Sequence, residues 1–480
     1  MIFRDLREWI EHVRRMGDLE VVLGADWNEE LGAIVELWKI GGPAILFDEI
    51  KGYPKGFRVL THSGTSVRRV ALSLGIDPTG DKRKVIHEIR EKFSSLKLLP
   101  PTFVKEGPVF DNVLEGADVD LYKFPTPKWH ERDGGRFIGT GCLCITKDPD
   151  TGWANLGAYR VMIHDEKTTG TCIHRGKHGQ LMMEKYWKRG KSCPIAVCVG
   201  HDPLLSLLSG IEVPTGVSEY DYAGALRGEP VSVIESDLTG IPIPSTAEIV
   251  LEGEIPPGTT RIEGPFGEWN GYYAEDATPR PIIQVKRILH RHDPIILGIM
   301  PGRPPSDNTF FFSLLRSASV WNELEKAGVQ GVVAVNAHEA GSGRMLLIVG
   351  IEQRYPGHAK QAGMIAGQCH QGAYACRWVI VVDDDIDTEN LGDVFWALCT
   401  RADLKDGVDV IHRCWTSPAD LMHYPEGEGK PFFGSRMVID ACKPFERREK
   451  FRVIETSQEL REKVAKKYAS LFERHGGPRF

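Results

Sequence analysis

The apolar residues change their spacing twice along this chain, and the changes divide it into three stretches. Residues 4–16 carry Leu6, Trp9, Ile10 and Val13 at helical spacing, with Gly17 as the stop. Ala44-Ile45-Leu46-Phe47 reads as a short buried strand, and residues 80–93 as a charged amphipathic helix. The Pro-rich stretch Leu98-Leu99-Pro100-Pro101 predicts a linker. After an extended segment from Tyr122 to His130, short β-branched runs alternate with Gly, Pro and Asp turns. They are Ile138–Thr146, Ala196–Val199, Val231–Ile234, Glu248–Leu251, Ile282–Val285 and Ile295–Ile299, which predict a mostly antiparallel sheet or barrel. From about 329 the pattern is α/β: strands at Val332–Val335, Met345–Ile351 and Trp378–Val382, with helices near 356–369 and 391–400. A last helix opens on Thr456-Ser457-Gln458-Glu459, read as a capping box, and places Leu460, Val464, Tyr468 and Leu471 on one face. Such a face docks on its own domain or on a neighbouring subunit.

Composition narrows the function. A chain of 480 residues exceeds one core, so two to four domains are expected. A net charge of −7 argues against a nucleic-acid partner, whose binding surface should be basic. No apolar run approaches a membrane span, and Met1-Ile2-Phe3-Arg4-Asp5 does not open a signal peptide. The ten Cys form no CxxC pair, which reads as reduced thiols in a cytoplasm. Cys142 and Cys144 would face one side of a strand.

Candidate chemistry sits in a few segments. Arg261-Ile-Glu263-Gly-Pro-Phe-Gly-Glu268-Trp-Asn-Gly-Tyr-Tyr273 sets two carboxylates five residues apart around a Gly-Pro-Phe-Gly bend. On a regular strand they would face opposite ways; the bend lets both turn toward one cavity. Held close in a partly apolar site, their pKa values would separate, one staying charged and the other holding a proton. Taken alone, a surface loop is the commoner reading. In Asn155-Leu-Gly-Ala-Tyr-Arg160 the two polar ends would also face apart on a strand, so either the strand is irregular or the two have separate roles. Arg160 suits a carboxylate bidentately, although a solvent-facing ion pair is the ordinary alternative. Cys172-Ile-His174-Arg175-Gly-Lys177-His178 is basic and suits an anion such as a phosphate. Gly176 and Gly179 argue against a helical His174/His178 metal pair, leaving a single His ligand as the better reading. Glu219 and Asp221, beside a Gly-containing turn, could ligate a hard cation. Asn, His and Glu together are compatible with Mn²⁺ or Mg²⁺. Asp383-Asp384-Asp385 could bind metal but more commonly ends a strand. His423 reads as a pocket wall, a surface loop residue or an acid/base. Walker A, GxGxxG and GxSxG signatures are absent.

Together these segments resemble the UbiD-type decarboxylases, which use prenylated flavin mononucleotide. The likeness rests on Asn155…Arg160, His178, Glu219 and Glu263-Gly-Pro-Phe-Gly-Glu268 in order and spacing. It extends to Gln353-Arg-Tyr-Pro-Gly-His-Ala-Lys360 and Val381-Val-Asp-Asp-Asp-Ile386. The resemblance implies an α/β multidomain fold in which a central FMN-binding split β-barrel is flanked by N- and C-terminal α/β regions. It suggests boundaries at residues 1–110, 111–315, 316–455 and a C-terminal helix over 456–480. It implies that Asn155, His178 and Glu219 bind Mn²⁺ or Mg²⁺ bridging to the flavin phosphate, with K⁺ alongside at Glu219. Arg160, Glu263 and Glu268 would be the catalytic trio, Arg160 lying against the modified flavin and Glu268 giving the proton. A basic residue near the cofactor is implied before the Val379–Val382 run; here it is Arg377 rather than Lys.

The implied reaction is reversible, non-oxidative decarboxylation of an aromatic or heteroaromatic acid. Asp307 and Asn308 could hydrogen-bond a ring substituent, and His423 resembles a position used for hydroxylated aromatic acids. A flavin prenyltransferase would supply the cofactor, and a homodimer or homohexamer is implied. Two rivals are a flavin-dependent oxidoreductase on a split barrel and a subunit of a larger carboxylase complex, inactive alone.

Overall fold

The computed structural model describes residues 3–38, 41–174, 176–211, 213–423 and 433–473. The first helix, Leu6–Arg15, starts where the Asp5 carboxylate accepts from the Glu8 N–H, and it buries Leu6, Trp9, Ile10 and Val13. Gly17 follows with φ +67°, the left-handed stop expected of it. The strand expected at Ala44–Phe47 is Ala44–Asp48, in a four-stranded sheet with Leu19–Leu23, Arg58–Thr61 and Ile295–Leu297. The charged helix spans Lys82–Ser94 and lies on the long helix Thr309–Lys326: Arg90 Nε donates to Asn322 at 3.0 Å and its guanidinium covers Trp321.

The middle of the chain forms a ten-stranded sheet. Its path runs Phe137–Gly139, Val161–Asp165, Thr168–Thr171, Thr278–His290, Ile249–Ile255, Cys193–Val199, Leu143–Lys147, Ala154–Gly157. Thr260–Glu263 and Asn112–Glu115 also pair with Thr278–His290, and every pairing is antiparallel. Among the described residues no pairing joins the two ends of this path. The architecture is α/β and multidomain. Two of the strands expected in this sheet lie elsewhere. Ser232–Glu235 pairs with Pro242–Pro244 and Thr102–Phe103 in a small sheet of its own. Ile295–Leu297 completes the N-terminal sheet, parallel to Arg58–Thr61. Its alternation explains the exchange: Ile295 and Leu297 join the core around Trp9, while Ile296 joins the core of the large sheet.

The C-terminal five-stranded sheet runs Val332–Ala337, Leu346–Ile351, Trp378–Asp383, Gly434–Asp440, Val408–Cys414, with the middle three parallel. Alternate residues meet helices on opposite faces. Leu347, Val349, Val379 and Val381 share a core with Ala359, Ala362 and Ala366 of His358–Gln368. Ile348, Ile380 and Val382 share one with Val394 and Ala397 of Leu391–Arg401. The last amphipathic helix is Gln458–Lys467, followed by Ala469–Glu473. Its N-cap is Ser457, not Thr456, and the Ser457 side chain accepts from Leu460 N. Glu459 therefore stands one position too early for the reciprocal bond of a capping box. Leu460, Val464, Tyr468 and Leu471 stay exposed. All ten cysteines are free thiols, and Cys142 and Cys144 both point at the Tyr159 carbonyl. Among the described residues no helix is long and apolar enough to cross a membrane.

Candidate active site

Glu263 ends the strand Thr260–Glu263 wholly buried, and the chain then turns at Gly264 with φ +85°. Arg160 closes on it from the irregular link between Ala154–Gly157 and Val161–Asp165. Its Nε and Nη2 donate to the two Glu263 oxygens at 2.8 and 2.9 Å, a bidentate pair out of solvent. The third donor, Nη1, reaches Glu268 Oε1 at 3.2 Å. The bend thus aims both carboxylates at one guanidinium, and neither acid sits on a free surface loop. Burial opposes the Arg160 charge, but its bond to Glu263 and the neighbouring anionic groups keep it firmly protonated, above the usual value. Burial pushes the Glu268 carboxyl up to about 7; Arg160 draws it down, Glu275 and Glu263 push it further up, and Arg344 draws it down. The result is one carboxylate locked by a cation and a second that holds a proton near neutral pH.

The bend is braced from below. Gly134 N donates to Pro265 O at 2.9 Å, Tyr273 Oη donates to Asp133 at 2.9 Å, and Phe266 packs on Phe137 with ring centroids 4.1 Å apart. An added Cβ at Gly134 would lie 1.8 Å from the Gly264 carbonyl oxygen, so only glycine permits this approach.

Asn155, His178 and Glu219 meet although they are far apart in sequence. Asn155 lies on the strand Ala154–Gly157, His178 opens the helix His178–Lys188, and Glu219 opens Glu219–Arg227 behind its N-cap Ser218. Gly179 lies inside the first of these helices, yet His174 precedes it, so the two histidines do not share a helical face. His178 Nδ1 is 3.2 Å from Asn155 Oδ1, and Glu219 Oε2 accepts from Leu156 N at 2.8 Å. Trp153 stacks edge-on to His178, and the Thr215 hydroxyl lies 3.4 Å from its Nε2. Glu219 is buried without an ion-pair partner among the described residues, and burial lifts its carboxyl to about 8. Among the described residues the buried Asn155 Nδ2 has no hydrogen-bond partner. Among the described residues no three His, Cys, Asp or Glu side chains form a metal-binding group, so only the Asn155 amide oxygen would complete this O, N, O set. A buried carboxyl without a cationic partner among the described residues, bonded to the backbone next to the Asn155–His178 pair, suits a divalent cation.

The other residues singled out in the sequence have partners of their own. Arg377 donates twice from Nη2 to Asp420, at 2.6 and 2.7 Å. His423 closes the same loop, its N–H donating to the Asp420 carbonyl at 3.0 Å. Asp307 is buried, accepts from Met300 N at 3.3 Å, and has its carboxyl raised by burial. Asn308 lies against Gly64, with φ +65° before the helix Thr309–Lys326. Asp383 and Asp385 bind Arg401, and Lys443 Nζ reaches Asp385, so this run follows the strand-end reading. Gln353 Nε2 donates to Asp383 and to the Lys443 carbonyl. Arg175, Tyr424 and Pro425 lie outside the described residues. Two cavities, of ≈ 370 and ≈ 410 Å³, lie elsewhere, the first lined by groups such as Lys443 and Arg448 and the second by Arg83, Trp321 and Asn336. Neither includes the Arg160 centre. Sequence reading passed over Trp153, Thr215, Asn270 and Arg344. Only Gly341-Ser342-Gly343 before Arg344 carried a signal, that of a tight turn.

Comparison with known proteins gives this arrangement a family. The models of the 3-octaprenyl-4-hydroxybenzoate carboxy-lyase family match through its N-terminal domain at residues 10–89, its Rift-related domain at 102–304 and its C-terminal domain at 309–441. Pyrrole-2-carboxylic acid decarboxylase of Pseudomonas aeruginosa is 33% identical over 460 residues, covering 92% of this chain and 91% of that protein. Vanillic acid decarboxylase of Sedimentibacter hydroxybenzoicus, in open form, superposes with a TM-score of 0.82 at 29% identity, covering 99% of this chain and 100% of that one. An evolved dimeric form of the UbiD-class enzyme HmfF from Pelotomaculum thermopropionicum, in complex with prFMN, gives 0.82 at 26% identity, covering 97% and 100%. With family matches along most of its length, the chain belongs to the UbiD family of carboxy-lyases.

Proposed function

We propose that this protein decarboxylates an aromatic or heteroaromatic acid, reversibly and without oxidation, with prenylated FMN as cofactor and Glu268 as proton donor. The observation that carries the reading is the pair of unlike carboxylates on one guanidinium: Glu263 locked at 2.8 and 2.9 Å, and Glu268 at 3.2 Å with its pKa raised to about 7. Prenylated FMN, when bound, supplies the electron sink that no side chain offers to a departing carboxylate. Arg160 keeps a fixed positive charge beside the reacting carbon, and Glu263 holds its orientation. Glu268, protonated, gives its proton to the carbon that has lost CO₂ and recovers one before the next turnover. In the carboxylation direction it takes that proton. Asn155, His178 and Glu219 would hold Mn²⁺ or Mg²⁺ against the cofactor phosphate, with K⁺ beside Glu219.

The same reading assigns residues 1–110, 111–315, 316–455 and 456–480 to an N-terminal domain, a flavin-binding split barrel, a C-terminal domain and a terminal helix. It makes Arg377 a cofactor neighbour, gives Asp307, Asn308 and His423 to the substrate wall, and sets the enzyme in the cytoplasm as a homodimer or homohexamer. The dimeric HmfF with prFMN and the decarboxylases of pyrrole-2-carboxylic and vanillic acids support the cofactor, the assembly and the substrate class.

The test is anaerobic mass spectrometry and absorbance of protein co-expressed with a flavin prenyltransferase, followed by CO₂ release from a panel of aromatic acids. Bound prenylated flavin with turnover is expected. Ordinary FMN or none, with no CO₂ released from any acid, would overturn the proposal and favour an oxidoreductase or a subunit that needs partners.

A further inference from the structure

The turn that carries Glu268 is fastened at its tip to the C-terminal region by two consecutive side chains. Asn270 Nδ2 donates to the Ala419 carbonyl at 2.6 Å, while Asn270 Oδ1 accepts from Tyr272 N at 3.2 Å. Trp269 has the Arg344 guanidinium 5.1 Å from its ring centroid, and the same guanidinium stands 3.8 Å from that of Phe312. The turn closes on itself through Glu268 N to Tyr272 O at 2.8 Å and Gly271 N to Glu268 O at 2.9 Å. Its movements are therefore those of a single small unit.

The acceptor is well placed. Ala419 N donates to Ser417 Oγ at 3.2 Å. Its neighbour Asp420 is buried and accepts from Arg377 twice, from the Thr416 hydroxyl at 2.8 Å and from Met422 N at 3.0 Å. Glu268, by contrast, has one side-chain hydrogen bond among the described residues, the 3.2 Å contact with Arg160, whose other two nitrogens donate to Glu263. One long bond does not hold a carboxyl group in place, so the position of Glu268 is inherited from its turn.

We propose that Asn270 is a positioning residue for Glu268, acting through Ala419, so that the Arg377–Asp420 pair sets where the proton donor stands. This rests on the reading of Glu268 as that donor. A displacement of about 1 Å at a reacting group costs on the order of 10²-fold in rate. Arg377 then acts on proton transfer through Asp420 and Ala419 without touching Glu268.

Asn270→Asp and Asn270→Ala in the full chain test this. Asp keeps the acceptor for Tyr272 N and loses the donor to Ala419, which separates the two bonds; Ala adds no charge near Glu268. Amide hydrogen exchange over residues 415–423 is expected to rise in both variants. In the cofactor-loaded enzyme kcat should fall about 10- to 100-fold, with KM within about twofold, flavin content unchanged, and the alkaline midpoint of Asn270→Ala where the wild type has it. Asp420→Asn should move exchange and kcat in the same direction. Exchange as in the wild type, or kcat as in the wild type despite faster exchange, would overturn the proposal. Should the unaltered enzyme release no CO₂, the functional reading fails, and the exchange result alone decides whether Asn270 ties the two regions.

Discussion

A single guanidinium holds two glutamates unequally. Both oxygens of Glu263 are taken by Arg160, whereas Glu268 receives only the remaining donor and is left with a carboxyl raised to about 7. The consequence for pH is direct. If the protonated form does the work, turnover should be level below about pH 7 and fall as pH rises through it, with a limiting slope of about tenfold per unit. A pH profile of kcat with its alkaline midpoint far from 7 would contradict this assignment. The stability sign is opposite to that of a paired acid. The folded value lies above the ordinary 4.5, so the folded state binds more protons, and this group's contribution falls as pH rises from 4.5 to about 7. Glu268→Gln removes the proposed proton donor while keeping shape, so CO₂ release should drop about 10²- to 10⁴-fold, with flavin content unchanged. Retained turnover would show that another group gives the proton.

Elements bring these residues together in ways that spacing in the chain only partly discloses. The helix Leu6–Arg15 was legible because four apolar residues at helical intervals have one burial solution. The bend at Gly264 was legible for a similar reason, since Gly and Pro state a local backbone need. Convergence was not legible. Asn155 and Glu219 meet through Leu156 N, a contact made by the start of a helix and a strand that local patterns cannot place relative to each other. The family motifs identified both residues but carried no distances. Gln353 and the Asp383–Asp385 run, quoted for the same likeness, turn out to join the ends of neighbouring strands to Lys443 and Arg401. A motif can therefore mark a structural tie as readily as a reacting group. Gly134 tests how the bend is held: in Gly134→Ala the new Cβ meets the backbone of Gly264 and Pro265. Overpacking of this kind costs about 1–3 kcal/mol, read as a lower denaturant midpoint, and turnover should fall further than stability alone explains. A midpoint and a rate both at wild-type values would mean that the brace does not position the bend.

The whole molecule is joined by strands and helices that ignore the order of the sequence. The helix Lys82–Ser94 rests on Thr309–Lys326, and Ile295–Leu297 serves two cores at once. A continuous apolar run predicted that last strand but could not choose its sheet, because both of its faces are apolar. A fragment of residues 1–110 would lack this edge strand and leave the partners of Ile295 and Leu297 in water. It should be poorly soluble, or fail to unfold cooperatively, whereas the full chain should melt as a folded protein; a stable, cooperatively folding fragment would contradict this. The shared strand also has a temporal meaning. As the chain leaves the ribosome, the first sheet must wait for Leu297 before it can be finished. The other strands of this sheet thus keep an open edge until the large sheet has been made, and an unpaired edge is where a strand of another chain can add.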